Sequence, residues 1–575
     1  MPDCSQSKRQ LSRLVSTVAS ISLLAACVSL SACSKKSAAA SSTPTPKPAQ
    51  KFLYSPTDYF EQSPGKPGGN LKVSVSSDTG TLDLHAISHT NAQWLGRLIY
   101  DNLVYLDDQG QPTPWLAKSW EITGDGKTYT FHLRNDVSFS DGSKFNAEAV
   151  RVNLEHMRDP ATKSPLAAAY VAPYDKGEIM DEYTFRAHLH ESYAPFLSVL
   201  AQSWLAMESA KALTDNPKGF GAAPVGSGPF VVESYTRQQG IKLVRRPDYH
   251  WAPDFIKHRG PALLEHIDLD FVAEPLVRFS SLAAGQYDLT IDAPAQNAAA
   301  IRADARLVFD SRIRQGNPSR ALAFNTAKFP FEDVRVRRAI ALAMDREGIV
   351  RVTGFGEYEP KADFLAANTR YYDPAYKDAL KQDVPEANRL LDAAGFTGRD
   401  AEGIRTNKEG KRLSAEVLLN NAQTPSPVVV ALQADAKKVG VELKLAQRPA
   451  PELTDRRRTG DYQAMGAGVW HTNTPDGLYI VYDSNEITSD KRVGQNISRL
   501  SDAELDKLLA QARASQSDDE RRSLYSAAQK RLTELVPAIP LHENYTLTAR
   551  KNDVKGVLYD TSHNTIVFTS AWLDR

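Results

Sequence analysis

LIYDNLVYLDDQGQPTPWLAKSWEITGDGKTYTFHLRNDVSFSDGSKFNAEAV, running from Leu98 to Val150, holds the periodicities that set the fold class. Tyr129, Phe131 and Leu133 alternate with Thr130, His132 and Arg134, the period-2 pattern of a strand with one buried face. DDQGQP, starting at Asp107, and the Asp141-Gly142 pair are turn signals. Asn146 to Met157 then has the spacing of an amphipathic helix. Just upstream, Asn91 to Leu106 mixes helical spacing with aromatic residues.

Both flanks repeat this mixture. GNLKVSVSS (Gly69 to Ser77) alternates like a first strand. PVGSGPFVVESY (Pro224 to Tyr235) reads as a glycine turn feeding a strand, paired with IKLVRR (Ile241 to Arg246) and followed by IDLDFV (Ile267 to Val272). ALAFNT (Ala321 to Thr326) is a short strand, and one helix is expected from Val334 to Val350, with Val336, Ile340 and Ala343 on one face. Asp383 to Ala394 reads as a helix stopped by Gly395. AEVLLN (Ala415 to Asn420) and VELKLA (Val441 to Ala446) flank a helix near Val428 to Lys438. Two late helices carry the capping-box pattern, Ser501/Glu504 and Ser517/Glu520. Strands and helices alternate without a repeat period, which points to α/β lobes rather than a solenoid.

At 575 residues the chain exceeds one typical core, so at least two lobes are expected. Lys+Arg and Asp+Glu are both 69, and this zero net charge argues against broad electrostatic capture of nucleic acid. The three cysteines, Cys4, Cys27 and Cys33, all lie near the start, so the body has neither a disulfide nor a thiolate nucleophile.

Lys8, Arg9 and Arg13 precede an uncharged run from Leu14 to Ala32, the layout of a secretory signal over residues 1–32. The run is long enough to raise a spanning helix, but Ser and Thr are spread through it and it ends in small residues beside a cysteine. Leu30-Ser31-Ala32-Cys33 resembles a bacterial lipoprotein processing box, and Leu24-Ala25-Ala26-Cys27 is an overlapping second copy. Cys33 is the preferred lipidation site because Ser34-Lys35-Lys36 opens a polar stretch. Each buried acyl methylene contributes about 0.8 kcal/mol, so several chains would anchor the protein at a membrane. Residues 33–68, rich in spaced Pro, Ser and Gly, read as an extended tether. The expected location is outside the cytoplasm, lipid-anchored and facing the periplasm or the cell exterior.

Catalytic patterns are missing: there is no HExxH, GxSxG or Walker-type loop. Gly226-Ser227-Gly228-Pro229 is glycine-rich, but Pro229 removes an N–H that a phosphate cradle would use, so a tight turn is expected. His85 and His89 have i, i+4 spacing, yet GTLDLHAISH reads as a loop, and no metal site or cofactor is expected. Trp94, Trp204, Trp470 and Tyr479 sit near turns beside polar loops, as the aromatics of a binding cleft do.

Taken together, the Leu98–Val150 block, PVGSGPFVVESY, ALAFNTAKFPFEDVRVRRAIALAMDREGIV (Ala321 to Val350), EANRLLDAAGF (Glu386 to Phe396), SRLSDAELDKLL and LVPAIPLHE (Leu535 to Glu543) resemble the solute-binding proteins of the peptide/nickel/opine class of ABC transporters, bacterial extracellular family 5. The resemblance implies a two-lobed α/β periplasmic-binding-protein fold, oligopeptide-binding-protein-like, with an extra subdomain in the first lobe. Lobe I would be 69–317 plus 542–575, the subdomain about 106–225, and lobe II 318–541. It also implies a monomeric receptor that closes around a solute, performs no catalysis, and delivers the solute to an ABC permease and its ATPase complex.

On this resemblance WHTNTPDG (Trp470 to Gly477) lies at the cleft, with Trp470 as the aromatic wall. Asn473 aligns with the Asp that holds a peptide's ammonium, and Asp476 substitutes only if the loop turns it inward. Asn473→Asp should then strengthen binding of free-amine peptides. Thr81-Leu82-Asp83-Leu84-His85 is similar to the family's Leu-Asp-Pro-His segment at the cleft mouth, with Leu84 in place of Pro. Arg320 is the candidate for a ligand carboxylate, since its planar fork matches both oxygens. His85 or His471 would serve if the solute were a metal chelate instead. An exported hydrolase is the alternative from another class.

Overall fold

The computed structural model describes residues 65–421, 426–470, 472–490, 494–560, 562 and 565–575. The signal segment, most of the tether, Cys27, Cys33 and His471 lie outside the described residues. No helix among the described residues is long and apolar enough to cross a membrane.

The alternating stretch of the opening block forms the strand Thr128–Leu133, whose Tyr129, Phe131 and Leu133 are fully buried while their neighbours are half-buried. It is an inner strand of a four-stranded antiparallel sheet, ordered Ala117–Ile122, Thr128–Leu133, Thr184–Leu189, Tyr174–Asp181. Tyr129 and Phe131 meet Phe196 at ring-centroid distances of 5.0 and 6.5 Å. Burying each such ring contributes roughly 1.5–3 kcal/mol. The helix Ala147–Arg158 packs behind this sheet, capped by Asn146, whose side chain accepts from the Ala149 N–H at 3.0 Å.

A seven-stranded sheet carries the first lobe. Its order is Leu307–Ile313, Tyr545–Lys551, Leu289–Ile291, Asn70–Val75, His266–Phe271, Gly240–Arg245, Phe230–Thr236. Asn70–Val75 runs parallel to both of its neighbours, and the outer pairings are antiparallel. Gly226 and Gly228 prove to be packing residues: a Cβ at either would fall within 3 Å of the Ile99 backbone. Gly228 N–H donates to Ile99 O at 2.9 Å, and Ser227 Oγ donates to the buried Asp101 at 2.8 Å.

The second lobe is built on a five-stranded sheet, ordered Glu442–Arg448, Ser414–Asn420, Ala464–Gly466, Ser319–Phe324, Ala538–His542. Its first three strands are parallel, with the helix Pro427–Lys438 forming the crossover. The chain passes between the two large sheets twice, over residues 314–318 and 543–544. These crossovers are tied to each other, because Asn544 Nδ2 donates to Asn317 O and Arg314 N–H to Asn544 O, both at 2.7 Å.

Two local expectations change. The stretch from Val334 to Val350 is two helices, Val334–Ala343 and Arg346–Thr353. Met344 turns extended (ψ 122°), and Asp345 accepts from the Gly348 N–H as an N-cap, a competing hydrogen bond that restarts the helix. Likewise the helix Ala503–Ala514 is capped by Asp502, not Ser501, while Ser517 caps Asp518–Leu535 as expected.

Candidate functional site

The loop after strand Ala464–Gly466 runs along the junction of the two lobes. Trp470 and Tyr479 are partly buried and are packed against both hydrophobic cores, one from each lobe. Between them Thr472, Asn473, Thr474 and Asp476 are buried. Close backbone approach fixes the loop against the first crossover. Gly316 takes φ +98°, and a Cβ there would lie 2.6 Å from Thr472 O. A Cβ on Gly477 would lie 2.2 Å from Asn317 Oδ1.

From the first lobe, the short helix Phe196–Leu200 and Tyr193 meet this loop. Asn473 Nδ2 donates to Ser198 O at 3.1 Å, and Tyr193 OH donates to Asp476 Oδ2 at 2.8 Å. Asn473 Oδ1 is buried and has no donor among the described residues. The fully buried Tyr170 lies beside Thr472, Trp470 and Gln202.

Asp476 is fully buried. Its Oδ1 is 2.9 Å from Arg513 Nε, a contact of opposite charges that is off line for a directed hydrogen bond. Burial pushes its carboxyl up, and Arg513 opposes this. Arg513 also stacks on Tyr479 at 3.8 Å and on Tyr193 at 4.7 Å. Asp476 is therefore spent on holding Arg513 and Tyr193; the loop turns it inward, but into a closed network.

Arg320, on strand Ser319–Phe324, is buried beside the same loop. Its Nε donates to Gly468 O at 3.1 Å, and Nη1 has no acceptor among the described residues. The half-buried Arg457 is its neighbour. Burial, and then the Arg320 charge against a pull from Tyr462, depresses the Arg457 guanidinium. Arg457 donates to Gly494 O at 3.0 Å and lines a crevice of about 400 Å³ with Leu418, Asn420, Met465 and Gly466. That crevice opens at the carboxyl ends of the parallel strands, the usual ligand position in open α/β sheets. Among the described residues, neither arginine has a carboxylate within ion-pair distance.

The remaining sequence candidates lie elsewhere. Trp94 and Trp204 are packed in the first-lobe core rather than presented near a turn surface, because the helix Ala92–Ile99 and the turn Ser203–Leu205 face inward. His85 is fully buried in the turn Leu84–Ala86, and its neighbour is His156, not His89. His89 instead accepts from the Asn91 N–H and contacts Ser77 Oγ. Sequence reasoning missed Tyr193, Ser198, Arg457 and Arg513. Asn473 and Ser198 are 275 positions apart, and Tyr193 and Asp476 are 283 apart. No local pattern links such positions.

The family model of the bacterial extracellular solute-binding proteins, family 5 (middle region) matches residues 111–489. Di/tripeptide-binding protein 3 of Pseudomonas aeruginosa is 28% identical over 519 residues, 85% of this chain and 90% of that protein. Glutathione-binding protein GsiB of Escherichia coli is 27% identical over 493 residues, 85% of this chain and 91% of that protein. Among solved structures, the periplasmic binding protein DppA from Helicobacter pylori in complex with the peptide STSA is similar with a TM-score of 0.72. It is 25% identical, and the match covers 89% of this chain and 99% of that one.

Proposed function

The chain belongs to the bacterial extracellular solute-binding proteins of family 5, and we propose that it captures a short peptide or peptide-like solute by its carboxylate and presents it to an ABC permease. The observation that carries this reading is Arg320. A buried guanidinium with an unfilled Nη1, beside a second arginine and no carboxylate among the described residues, is an incomplete ion pair. Leaving such a charge unpaired is unfavourable, and a solute carboxylate completes it. The names of the di/tripeptide-binding and glutathione-binding relatives support a peptide-like body for that carboxylate.

Asn473 Oδ1 accepts an N–H of the solute, and Trp470 packs on its apolar part. The charge-assisted grip that an Asp would give an ammonium is absent at this position. Closure is differential: Asn473–Ser198 and Tyr193–Asp476 join the lobes only when they are shut, so a solute stabilises closure by adding contacts to both. Residues 314–318 and 543–544 serve as the hinge between lobe I (69–317 plus 542–575) and lobe II (318–541). The protein makes and breaks no bond, works as a monomer, and is tethered outside the cytoplasm by a lipid on Cys33, with Cys27 as the alternative.

Native mass spectrometry of the exported chain tests the solute class. A co-purified di- or tripeptide supports the reading; a metal chelate or a non-carboxylate solute replaces it. Loss of acyl labelling in Cys33→Ser, with retention in Cys27→Ser, tests the anchor.

A further inference from the structure

Away from the lobe junction, four side chains converge within the first lobe: Asp83, His85, His156 and Glu208, whose nearest donor atoms all lie within 4.8 Å of one another. His85 and Glu208 are fully buried, Asp83 is nearly so, and the His156 side chain is 17% exposed, which leaves an access route from solvent. We propose that this cluster is a structural binding site for a divalent transition-metal ion, with Zn²⁺ the best fit.

The argument starts from which atoms are already engaged. His85 Nε2 lies 2.9 Å from Ala206 O; a carbonyl only accepts, so Nε2 carries the proton and Nδ1 presents a lone pair. Glu208 Oε1 accepts from the Leu84 N–H at 3.0 Å, and Asp83 Oδ1 accepts from the N–H groups of His85 and Ala86 at 3.0 and 3.2 Å. These three side chains are thus each fixed through one atom by the backbone and turn the other atom inward, as the outer contacts of metal ligands do.

The inward atoms do not all satisfy one another. His85 Nδ1 is 2.9 Å from His156 Nδ1 and 3.6 Å from Glu208 Oε2. Asp83 Oδ2 is 3.7 Å from His156 Nε2. Glu208 Oε2 is fully buried and has no hydrogen-bond partner among the described residues. The one ring proton of neutral His156 serves either His85 Nδ1 or Asp83 Oδ2, and Glu208 Oε2 is left without a partner in both cases. A cation resolves this, and two carboxylates with two neutral imidazoles make a Zn²⁺ site of zero net charge. Zn–N and Zn–O bonds of about 2.0–2.2 Å place tetrahedral ligand atoms about 3.3–3.5 Å apart, between the 2.9 Å from His85 Nδ1 to His156 Nδ1 and the 3.6 Å from His85 Nδ1 to Glu208 Oε2. Imidazole and carboxylate donors also suit a borderline cation better than Ca²⁺ or Mg²⁺.

His85 ligates through Nδ1 without moving a proton, because its proton sits on Nε2 against the Ala206 carbonyl. The ion would join the turn Leu84–Ala86, the helix Ala147–Arg158 and the segment entering helix Ala210–Asp215, three pieces contributed from separate parts of the lobe.

The test uses the untagged full chain, stripped with chelator and titrated with ZnCl₂ near pH 7, following bound zinc by elemental analysis and the melting temperature. His156→Ala, at the partly exposed corner, and the isosteric Glu208→Gln are run in parallel. The expected result is one more zinc per chain in the wild type than in His156→Ala. A rise of roughly 2–4 °C should accompany it and be lost in both variants. No zinc-dependent rise in the wild type overturns the proposal. So does a rise that His156→Ala and Glu208→Gln retain, which would assign the zinc to another place such as the N-terminal cysteines.

Discussion

Arg320 keeps its Nε on the Gly468 carbonyl and holds Nη1 unfilled next to Arg457. Arg320→Gln removes the charge while keeping a donor, so affinity for carboxylate solutes should fall about 10- to 100-fold, with the melting temperature of the unliganded protein little changed. Calorimetric titration reads this directly. Asn473 carries a prediction whose sign the structure reverses. Alignment alone makes Asn473→Asp a gain for free-amine peptides. In the folded chain its Nδ2 donates across the lobes to Ser198 O, and a carboxylate there would face a carbonyl. Asn473→Asp should therefore weaken binding of every solute, by roughly 1–3 kcal/mol, and an increase in affinity for free-amine peptides would show that the lobe contact does not matter.

At the scale of elements, the helix Gly477–Tyr482 ends on Asp483, whose carboxyl is buried and raised to about 6, first by burial and further by Asp506, against hydrogen bonds from Asn485. The folded state holds this proton more tightly than the unfolded chain, so stability falls as pH rises from about 4 to about 6. Asp483→Asn should be neutral below pH 4 and stabilising above pH 6, by about 3 kcal/mol at most, in urea titrations at the two pH values. Elements are also where the sequence is most readable. Strands such as Thr128–Leu133 declare themselves because alternation is a local property, and helix Asp518–Leu535 because Ser517 is its cap. The Val334–Val350 stretch misleads because its apolar spacing continues through Asp345, while a side-chain cap interrupts the backbone there. Asp502 beats Ser501 for the same kind of reason: two adjacent capping residues compete, and spacing does not rank them. Trp470 and Asn473, which lie at the lobe junction, were singled out only by family resemblance. Their partners Ser198 and Tyr193 were not, because lobe closure brings together positions that no periodicity relates.

For the molecule as a whole, the directed bonds between the lobes include Tyr193 to Asp476, Asn473 to Ser198, the Ala194 N–H to Arg513 O at 2.7 Å, Ser192 Oγ to Ala514 O at 2.6 Å, and the bidentate Arg302–Glu357 pair. Tyr193→Phe removes the first while keeping the ring under Arg513, and it should weaken all solutes alike by about 0.5–1.5 kcal/mol, mostly through faster release. Selective loss for one solute would mean that Tyr193 touches the solute instead of the lobe. The central claim is that the closed cleft is completed by a solute carboxylate. Titration of the protein with matched di- and tripeptides, as free acids and as C-terminal amides, tests it most directly. The account predicts saturable binding of at least one free acid and a loss of roughly 10-fold or more in its amide. Equal affinity for acid and amide, or binding of neither across the panel, would contradict it.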